Sequence, residues 1–344
     1  MTRQASLRRR LLATAGLAAT AAALGLAAAP ASAQDGKPVN LTIGSFSQGS
    51  SWYVYSVNLG ELLRNALPPG SNVDTPPLAG GLGNPPMVAG GKAQLAFGMA
   101  VVGNWALEGK NAYKAPLKDL RGLVGGWDAY YLVPMARGAG APPDLAGYFK
   151  NVKPKATVTL LQRGSVGAYG GQQMLEMAGV DEKSLKAQGG DYEFGSFDMV
   201  KNRFAAGSAD VFIQTATLGH PSITEIARST PLTFLEPSQE ILDQMNKRFG
   251  WQTRVLPKGT FPGQDKDVRL PGTTTSLFAS TAMSDDMAYL VVKTVCEQTD
   301  KLRVSHQALA DFDCVKSEVW KTEVIGMPLH AGAERYYRQR GWLK

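Results

Sequence analysis

Two short runs of small residues offer this chain a definite chemistry. One is Gly44-Ser45-Phe46-Ser47-Gln48-Gly49-Ser50-Ser51, the other Gly164-Ser165-Val166-Gly167. Each follows a short apolar run and precedes apolar residues at helical spacing. Such a loop ends at a helix N-terminus, where backbone N–H groups lack intrahelical partners and the helix dipole is positive. That end of a helix holds a carboxylate or phosphate without a lysine. Glycine lets the backbone approach closely, and serine adds hydroxyl donors. One such loop is an ordinary capped helix after a turn. Two in matched places, facing one cleft, suit the binding of an anion by dipoles.

The residue patterns of catalysis are missing. Ser45-Phe46-Ser47-Gln48-Gly49 lacks the first glycine of a G-x-S-x-G elbow. There is no Walker A lysine pattern, no H-E-x-x-H and no C-x-x-C. Gly81-Leu82-Gly83-Asn84-Pro85-Pro86 lacks the third glycine of a dinucleotide fingerprint, and its prolines break the helix that fingerprint needs. None of His220, His306 and His330 stands at metal-ligand spacing to Cys296 or Cys314. His330 lies in a turn-rich context, Pro328-Leu329-His330-Ala331-Gly332, and reads as a structural hydrogen-bonding residue. No enzyme activity, metal or cofactor is expected. Aromatic residues cluster in Trp127-Asp128-Ala129-Tyr130-Tyr131. Adjacent strand residues face opposite ways, so only one tyrosine, taken as Tyr130, fits a cleft wall. Gln214-Thr215 is a further wall segment. Arg163 is read either as a bidentate carboxylate partner or as a solvent-facing arginine.

The elements that must position these loops follow one grammar, used twice. Leu41-Thr42-Ile43 reads as a strand, and Trp52, Tyr55, Leu59, Leu62, Leu63 and Ala66 as a helix capped by Ser50 or Ser51 and ended by Pro68-Pro69-Gly70. Thr157 to Leu161 reads as a strand, and Met174, Leu175 and Ala178 as a helix stopped by Gly179. Gly91-Lys92-Ala93-Gln94-Leu95-Ala96-Phe97 then resembles Gly207-Ser208-Ala209-Asp210-Val211-Phe212-Ile213: a glycine stop, a turn and a buried strand. Gly49 to Gly91 spans 42 residues and Gly164 to Gly207 spans 43. Two α/β lobes built on one plan explain the repeat. Ligands of such sheets sit beyond the carboxyl ends of the strands, at the helix N-termini.

The beginning of the chain is an address. Residues 1–33 carry Arg3, Arg8, Arg9 and Arg10 and no acid, then an Ala/Leu-rich run from Leu11 to Ala29, then Ala31-Ser32-Ala33. This is the order of a secretory signal peptide cleaved after Ala33. Arg8-Arg9-Arg10-Leu11-Leu12 also suits a twin-arginine signal. Without the four arginines the net charge falls from +7 to +3, so the basic balance is partly a targeting effect. No basic stripe interleaved with aromatics occurs, and no nucleic-acid partner is expected. No later stretch is apolar and long enough for stable membrane insertion. The remaining 311 of 344 residues exceed the usual size of one core, which again points to two lobes. Cys296 and Cys314 are the only cysteines, and in an oxidising compartment they are read as a disulfide.

The chain resembles the TAXI-type solute receptors of tripartite ATP-independent periplasmic (TRAP) transporters. Pro328-Leu329-His330-Ala331-Gly332-Ala333-Glu334-Arg335-Tyr336-Tyr337 is similar to that family's P-L-H-P-G-A-x-x-Y-Y signature, with Ala331 in place of proline. Leu256-Pro257-Lys258-Gly259-Thr260-Phe261-Pro262-Gly263-Gln264-Asp265 resembles its I-P-A-G-T-Y-P-G-Q-D stretch. Leu218-Gly219-His220-Pro221-Ser222-Ile223 resembles its G-x-P-x-x-I loop, and Gly81 to Asn84 its G-S-x-x-N element. Two departures stand out. In the first loop Phe46 replaces a glycine and Trp52 a tyrosine. The second loop lacks a threonine hydroxyl.

The resemblance implies an α/β, two-lobed periplasmic-binding-protein fold of type II, with the ligand cleft between the lobes. Lobe one is placed at 36–128 plus 272–344, and lobe two at 129–271. It implies a periplasmic receptor that delivers a small organic anion, glutamate-like or a dicarboxylate, to TRAP membrane subunits. The bulkier Phe46 and Trp52 point to a less polar acid. The ligand set is Ser45, Ser47, Gln48, Ser50, Ser51, Trp52, Tyr53, Asn84, Tyr130, Arg163, Gly164, Ser165, Gly167, Gln214 and Thr215. A ligand sensor that presents its closed form to a membrane kinase would use the same surface. A secreted hydrolase or lyase would need a nucleophile, metal or base constellation that is not found. The leader generates the first prediction: protein recovered from the periplasm begins at Gln34. Intact-mass spectrometry checks this, and a retained Met1 would refute it.

Overall fold

The structure is a computed structural model and describes residues 36–77, 80–138 and 144–344. The leader and its cleavage site after Ala33 lie outside the described residues. Eleven strands form a mixed sheet among those residues. They are β1 (Asn40–Gly44), β2 (Asn72–Asp74), β3 (Leu95–Met99), β4 (Leu120–Val124), β5 (Ala129–Arg137), β6 (Thr157–Leu161), β7 (Asp191–Gly195), β8 (Val211–Ala216), β9 (Leu232–Phe234), β10 (Gln252–Leu256) and β11 (Val268–Ser280). The order runs β2-β1-β3-β11-β5-β8-β6-β7, with β4 and β10 also paired to β11 and β9 to β5.

The repeat seen in the sequence is a repeat of topology. β1 lies between β2 and β3 and is parallel to both; β6 lies between β7 and β8 and is parallel to both. Both third strands, β3 and β8, are buried along their whole length, as expected of parallel strands covered on two faces. Gly91 and Gly207, which precede them, hold φ of 72° and 70°, a left-handed turn that favours glycine. After β1 comes the helix Ser51–Ala66, with Trp52, Tyr55, Leu59, Leu62 and Leu63 on its buried face. After β6 comes the helix Val166–Met177, followed by Gly179 at φ 76°. Serine caps both: Ser50 Oγ accepts from Tyr53 N at 3.2 Å, and Ser165 Oγ accepts from Ala168 N at 3.1 Å.

One strand joins the two halves. Gly272–Thr274 of β11 pairs with Ala129–Tyr131 of β5, and Thr275–Phe278 pairs with Ala96–Met99 of β3. The change of partner falls between Thr274 and Thr275. The second connection is the segment 125–128 between β4 and β5. Four buried hydroxyls mark the changeover, alternating between the two faces of the strand. Thr273 Oγ1 accepts from Val101 N at 3.3 Å, and Thr275 Oγ1 accepts from Trp52 Nε1 at 2.9 Å. On the opposite face Thr274 Oγ1 donates to Val324 O at 2.7 Å and Ser276 Oγ to Ile325 O at 2.8 Å. The Thr273 contact also caps the helix Ala100–Glu108, whose own cap residue Met99 provides no side-chain acceptor.

Cys296 and Cys314 form a disulfide with Cα atoms 5.6 Å apart. It ties the helix Asp285–Glu297 to the segment that carries His306 and Phe312. Phe312 stacks on Trp127 at 5.2 Å, and His306 meets Tyr55 edge-on at 5.2 Å. The bridge therefore backs the floor of the first half. Among the described residues no helix is long and apolar enough to cross a membrane. Replacing both cysteines by serine should lower unfolding stability by about 3 kcal/mol, the chain-entropy value for a loop of this size. Urea melts measure it. An unchanged midpoint would mean that packing alone holds the segment.

Candidate functional site

The loops meet at a small cavity between the two halves of the sheet, about 20 Å³ in volume. Phe46, Ser50, Trp52, Gly81 and Met99 line it from the first half, and Tyr130, Ser165, Val166, Gln214, Thr215 and His220 from the second. Four helices begin there, one of them Ala100–Glu108 after its cap residue Met99, where Thr273 Oγ1 already takes the Val101 N–H. Ser50 and Ser165 are the caps of the helices Ser51–Ala66 and Val166–Met177, and His220 is the cap residue of the helix Pro221–Ser229. Their positive ends and free N–H groups converge on one space.

The lining is positioned by close packing. Gly167, in the first turn of its helix, lies so near β8 that a Cβ would fall 1.7 Å from Gln214 Oε1 and 2.9 Å from Thr215 N. Only glycine brings that helix start down onto the strand. A Cβ on Gly81 would fall 2.1 Å from Val166 Cγ2, so the halves touch at that point. They also meet where Ser222 Oγ donates to Gly49 O at 3.0 Å. Trp52 and Tyr130 pack at 5.6 Å, with the Trp52 indole fixed by Thr275.

Of the residues expected at the ligand, Ser50, Trp52, Tyr130, Ser165, Gln214 and Thr215 line the cavity. The others stand elsewhere. Ser45 Oγ donates to Pro76 O at 2.9 Å. Asn84 Nδ2 donates to Ser45 O at 2.9 Å and Phe97 O at 2.8 Å, so both residues shape the first loop from beneath. Ser51 is buried with an unpartnered hydroxyl but does not line the space. Ser47, Gln48, Tyr53 and Gly164 form the turns and outer face of the loops; Gln48 is exposed, and Gly164 holds φ 91°. Arg163 points away: its guanidinium lies 3.8 Å over the Phe194 ring and 3.9 Å from Glu182, with the side chain 65% exposed. The two most specific sequence motifs are structural. His330 Nδ1 accepts from Gly332 N at 3.2 Å to cap the helix Ala331–Gln339, and Gln264 Nε2 donates to Pro257 O at 2.9 Å to close its turn.

Sequence reasoning missed Met99, Gly81, Val166 and His220 as lining residues, and left Phe46 out of the ligand set while reading its bulk as a sign of a less polar acid. For His220 a signal existed. β8, then Thr217 to His220, then Pro221 at the first helical position, repeats the strand–loop–helix grammar a third time.

Among the described residues the lining holds no Arg, Lys, Asp or Glu. His220 is 1% exposed, and burial, aided by the neighbouring His306, lowers it to about 3, so the ring is neutral. Two buried polar atoms of the lining lack partners, Gln214 Oε1 and His220 Nδ1. Behind the cavity Asp128 Oδ2 accepts from the Tyr55 hydroxyl at 2.6 Å, and burial raises that carboxyl to about 6. His306 is lowered to about 4 by burial.

These groups set an acid dependence of stability. Both histidines return to about 6.5 on unfolding. The unfolded chain then binds more protons below that value, so stability falls as pH falls from about 6.5 to about 4. Asp128 opposes this, because the folded chain keeps a proton that the unfolded chain sheds between about pH 4 and about 6. Two histidines outweigh one carboxyl. His306→Asn keeps an acceptor for Ala308 N and should recover about 2 kcal/mol of stability at pH 4.5 relative to pH 7. Denaturant melts at the two pH values test it, and an unchanged difference would refute a neutral, buried ring.

Residues 43–341 match the model of the NMT1-like family. MatC (Rpa3494) from Rhodopseudomonas palustris, solved with bound malate, is 14% identical, with 89% of this chain and 99% of that chain covered and a TM-score of 0.54. The periplasmic binding protein BugD is 18% identical over 88% of this chain and 94% of its own, with a TM-score of 0.44. XAC2383 from Xanthomonas citri, solved with chloride, is 12% identical over 87% and 99%, with a TM-score of 0.46. At such identities the likeness to MatC speaks for the fold, a mixed α/β, two-lobed periplasmic-binding-protein fold of type II. On the match over 43–341, the chain belongs to the NMT1-like family.

Proposed function

We propose that the chain is an exported solute-binding receptor that captures a small organic anion in the periplasm and delivers it to the membrane subunits of a TRAP transporter. The observation that carries this reading is the convergence of four helix N-termini on one cavity whose buried Gln214 Oε1 and His220 Nδ1 lack partners. Helix ends offer donors and positive potential to an anion, and the two side chains add neutral hydrogen-bonding capacity. The malate bound to MatC, a protein of the same fold, supports an organic acid as ligand. The Arg-rich leader supports export, and the TAXI-like motifs support the TRAP partnership. The role is binding rather than catalysis. Ser50, Trp52, Tyr130, Ser165, Gln214 and Thr215, with His220, form the ligand shell.

The lobes, 36–128 plus 272–344 and 129–271, close over the ligand by bending at Thr274/Thr275 and at 125–128. The Ser222–Gly49 hydrogen bond and the Gly81–Val166 contact belong to the closed form. The test uses the mature protein and a panel of organic acids with their uncharged amides. An acid at 100 times its dissociation constant should add about 2.7 kcal/mol of stability, its amide should add nothing measurable, and small-angle scattering should show a smaller radius of gyration with the acid. An amide as effective as its acid, or an unchanged radius at saturation, would overturn the reading. Uptake by reconstituted TRAP membrane subunits that does not depend on this protein would overturn the transport partnership.

A further inference from the structure

Resting on that reading, we infer that the cavity selects acids with a single carboxylate and an uncharged, largely apolar body, and rejects dicarboxylates and α-amino acids. The lining divides by chemistry. Ser50, Ser165 and His220 stand at three helix starts, where one carboxylate is satisfied; at the fourth, after Met99, Thr273 Oγ1 already takes the Val101 N–H. Phe46, Trp52, Met99 and Val166 supply carbon surface. The cavity, about 20 Å³, is far smaller than ligand pockets of roughly 300–1,000 Å³, so a ligand enters only as the halves part in the way proposed, and the selection rests on the chemistry of the lining. A carboxylate held at the helix ends leaves the rest of a small ligand against those apolar side chains.

A second carboxylate would need a second set of charged or dipolar donors. Beyond the helix ends the lining offers only neutral groups: Gln214, Thr215, the Tyr130 hydroxyl and the His220 ring. They can bond a hydroxyl or a keto oxygen on the body: Gln214 Oε1 is free to accept from a hydroxyl, and His220 Nδ1 to accept or donate according to its tautomer. They cannot neutralise a buried charge, which is costly without a counter-charge. An ammonium group meets the same obstacle. No carboxylate lines the cavity, and Asp128, the buried one behind it, is engaged by Tyr55 and stands outside the lining. Phe46 and Trp52 also fill volume, with the Phe46 ring where a Cβ on Gly80 would lie, 2.2 Å away.

One scaffold tests each clause. 3-Phenylpropionate carries one carboxylate on an apolar body. Benzylmalonate adds a second carboxylate at the α-carbon, phenylalanine adds an ammonium there, and 3-phenylpropanamide removes the charge. Hexanoate replaces the ring by an aliphatic chain. Calorimetry on the mature wild-type protein should find 3-phenylpropionate or hexanoate bound, and benzylmalonate and phenylalanine weaker than 3-phenylpropionate by about a hundredfold. Phe46→Arg, which sets a cation on the apolar wall, should narrow the deficit of benzylmalonate by about tenfold. Benzylmalonate or phenylalanine binding wild type as well as 3-phenylpropionate would overturn the selectivity while leaving anion capture intact. Binding of 3-phenylpropanamide as tight as that of its acid, or no binding by either monoacid, would overturn anion capture itself and this inference with it.

Discussion

Everything in this molecule depends on one strand that serves two half-sheets. β11 gives its first residues to β10 and β5 and its last to β3 and β4. The strand is buried along nearly its whole length, yet it is polar at the point where it changes partners, from Thr273 to Ser276. A buried hydroxyl left unpaired costs about 1–3 kcal/mol. Four of them in a row are tolerable only because each finds a partner: Val101 and Trp52 on one face of the strand, and the adjacent Val324 and Ile325 on the other. Those bonds fix the helix Ala100–Glu108, the segment 324–325 and the Trp52 indole to the same four residues. The cavity wall and the junction of the halves are thus one hydrogen-bonded unit. A Val substitution at Thr275 would leave its shape almost intact and still orphan an indole N–H at the ligand wall.

The electrostatics follow from the same economy. A cation at the cavity would offer a permanent charge, but burying it without a partner costs several kcal/mol. Helix ends carry only partial charges, and their orientation is already fixed by packing against the sheet. Gly167 is the device that delivers one of them, since nothing larger fits between the helix start and Gln214. The neutral His220 extends this pattern: its ring reaches the cavity from a helix start without adding charge.

Much of the frame was legible in the sequence, because the signals are local. The strand Thr157–Leu161, the serine caps at Ser50 and Ser165, the glycine stops and the twofold strand–loop–helix plan all rest on propensity and spacing over a few residues. The pairing of the two cysteines needed only their number and the compartment. The cavity lining was less legible. Phe46, Met99 and Val166 look like core residues in sequence, and they become wall only because the two halves leave a gap beside them. Arg163 was open to two readings in the sequence, a carboxylate partner or a solvent-facing arginine. It adjoins the second loop and carries a suitable charge, but its side chain turns out onto Phe194 and Glu182. Adjacency along the chain does not fix the direction of a long side chain. Ser45 and Asn84 were chosen as contacts and serve instead as the scaffold of a loop.

The hydrogen bond from Ser222 to Gly49 joins opposite halves at an exposed position. A bond of this kind contributes about 1 kcal/mol. If the halves part as proposed, opening costs little at this seam, and the bond changes the ratio of shut to open molecules by about fivefold. That factor acts on the lifetime of a filled cleft far more than on the rate of filling it. On the proposed closing motion, a single rim serine outside the cavity lining would set a dwell time, and a surface that pulls Ser222 away from Gly49 would empty the cleft without competing for anything inside it.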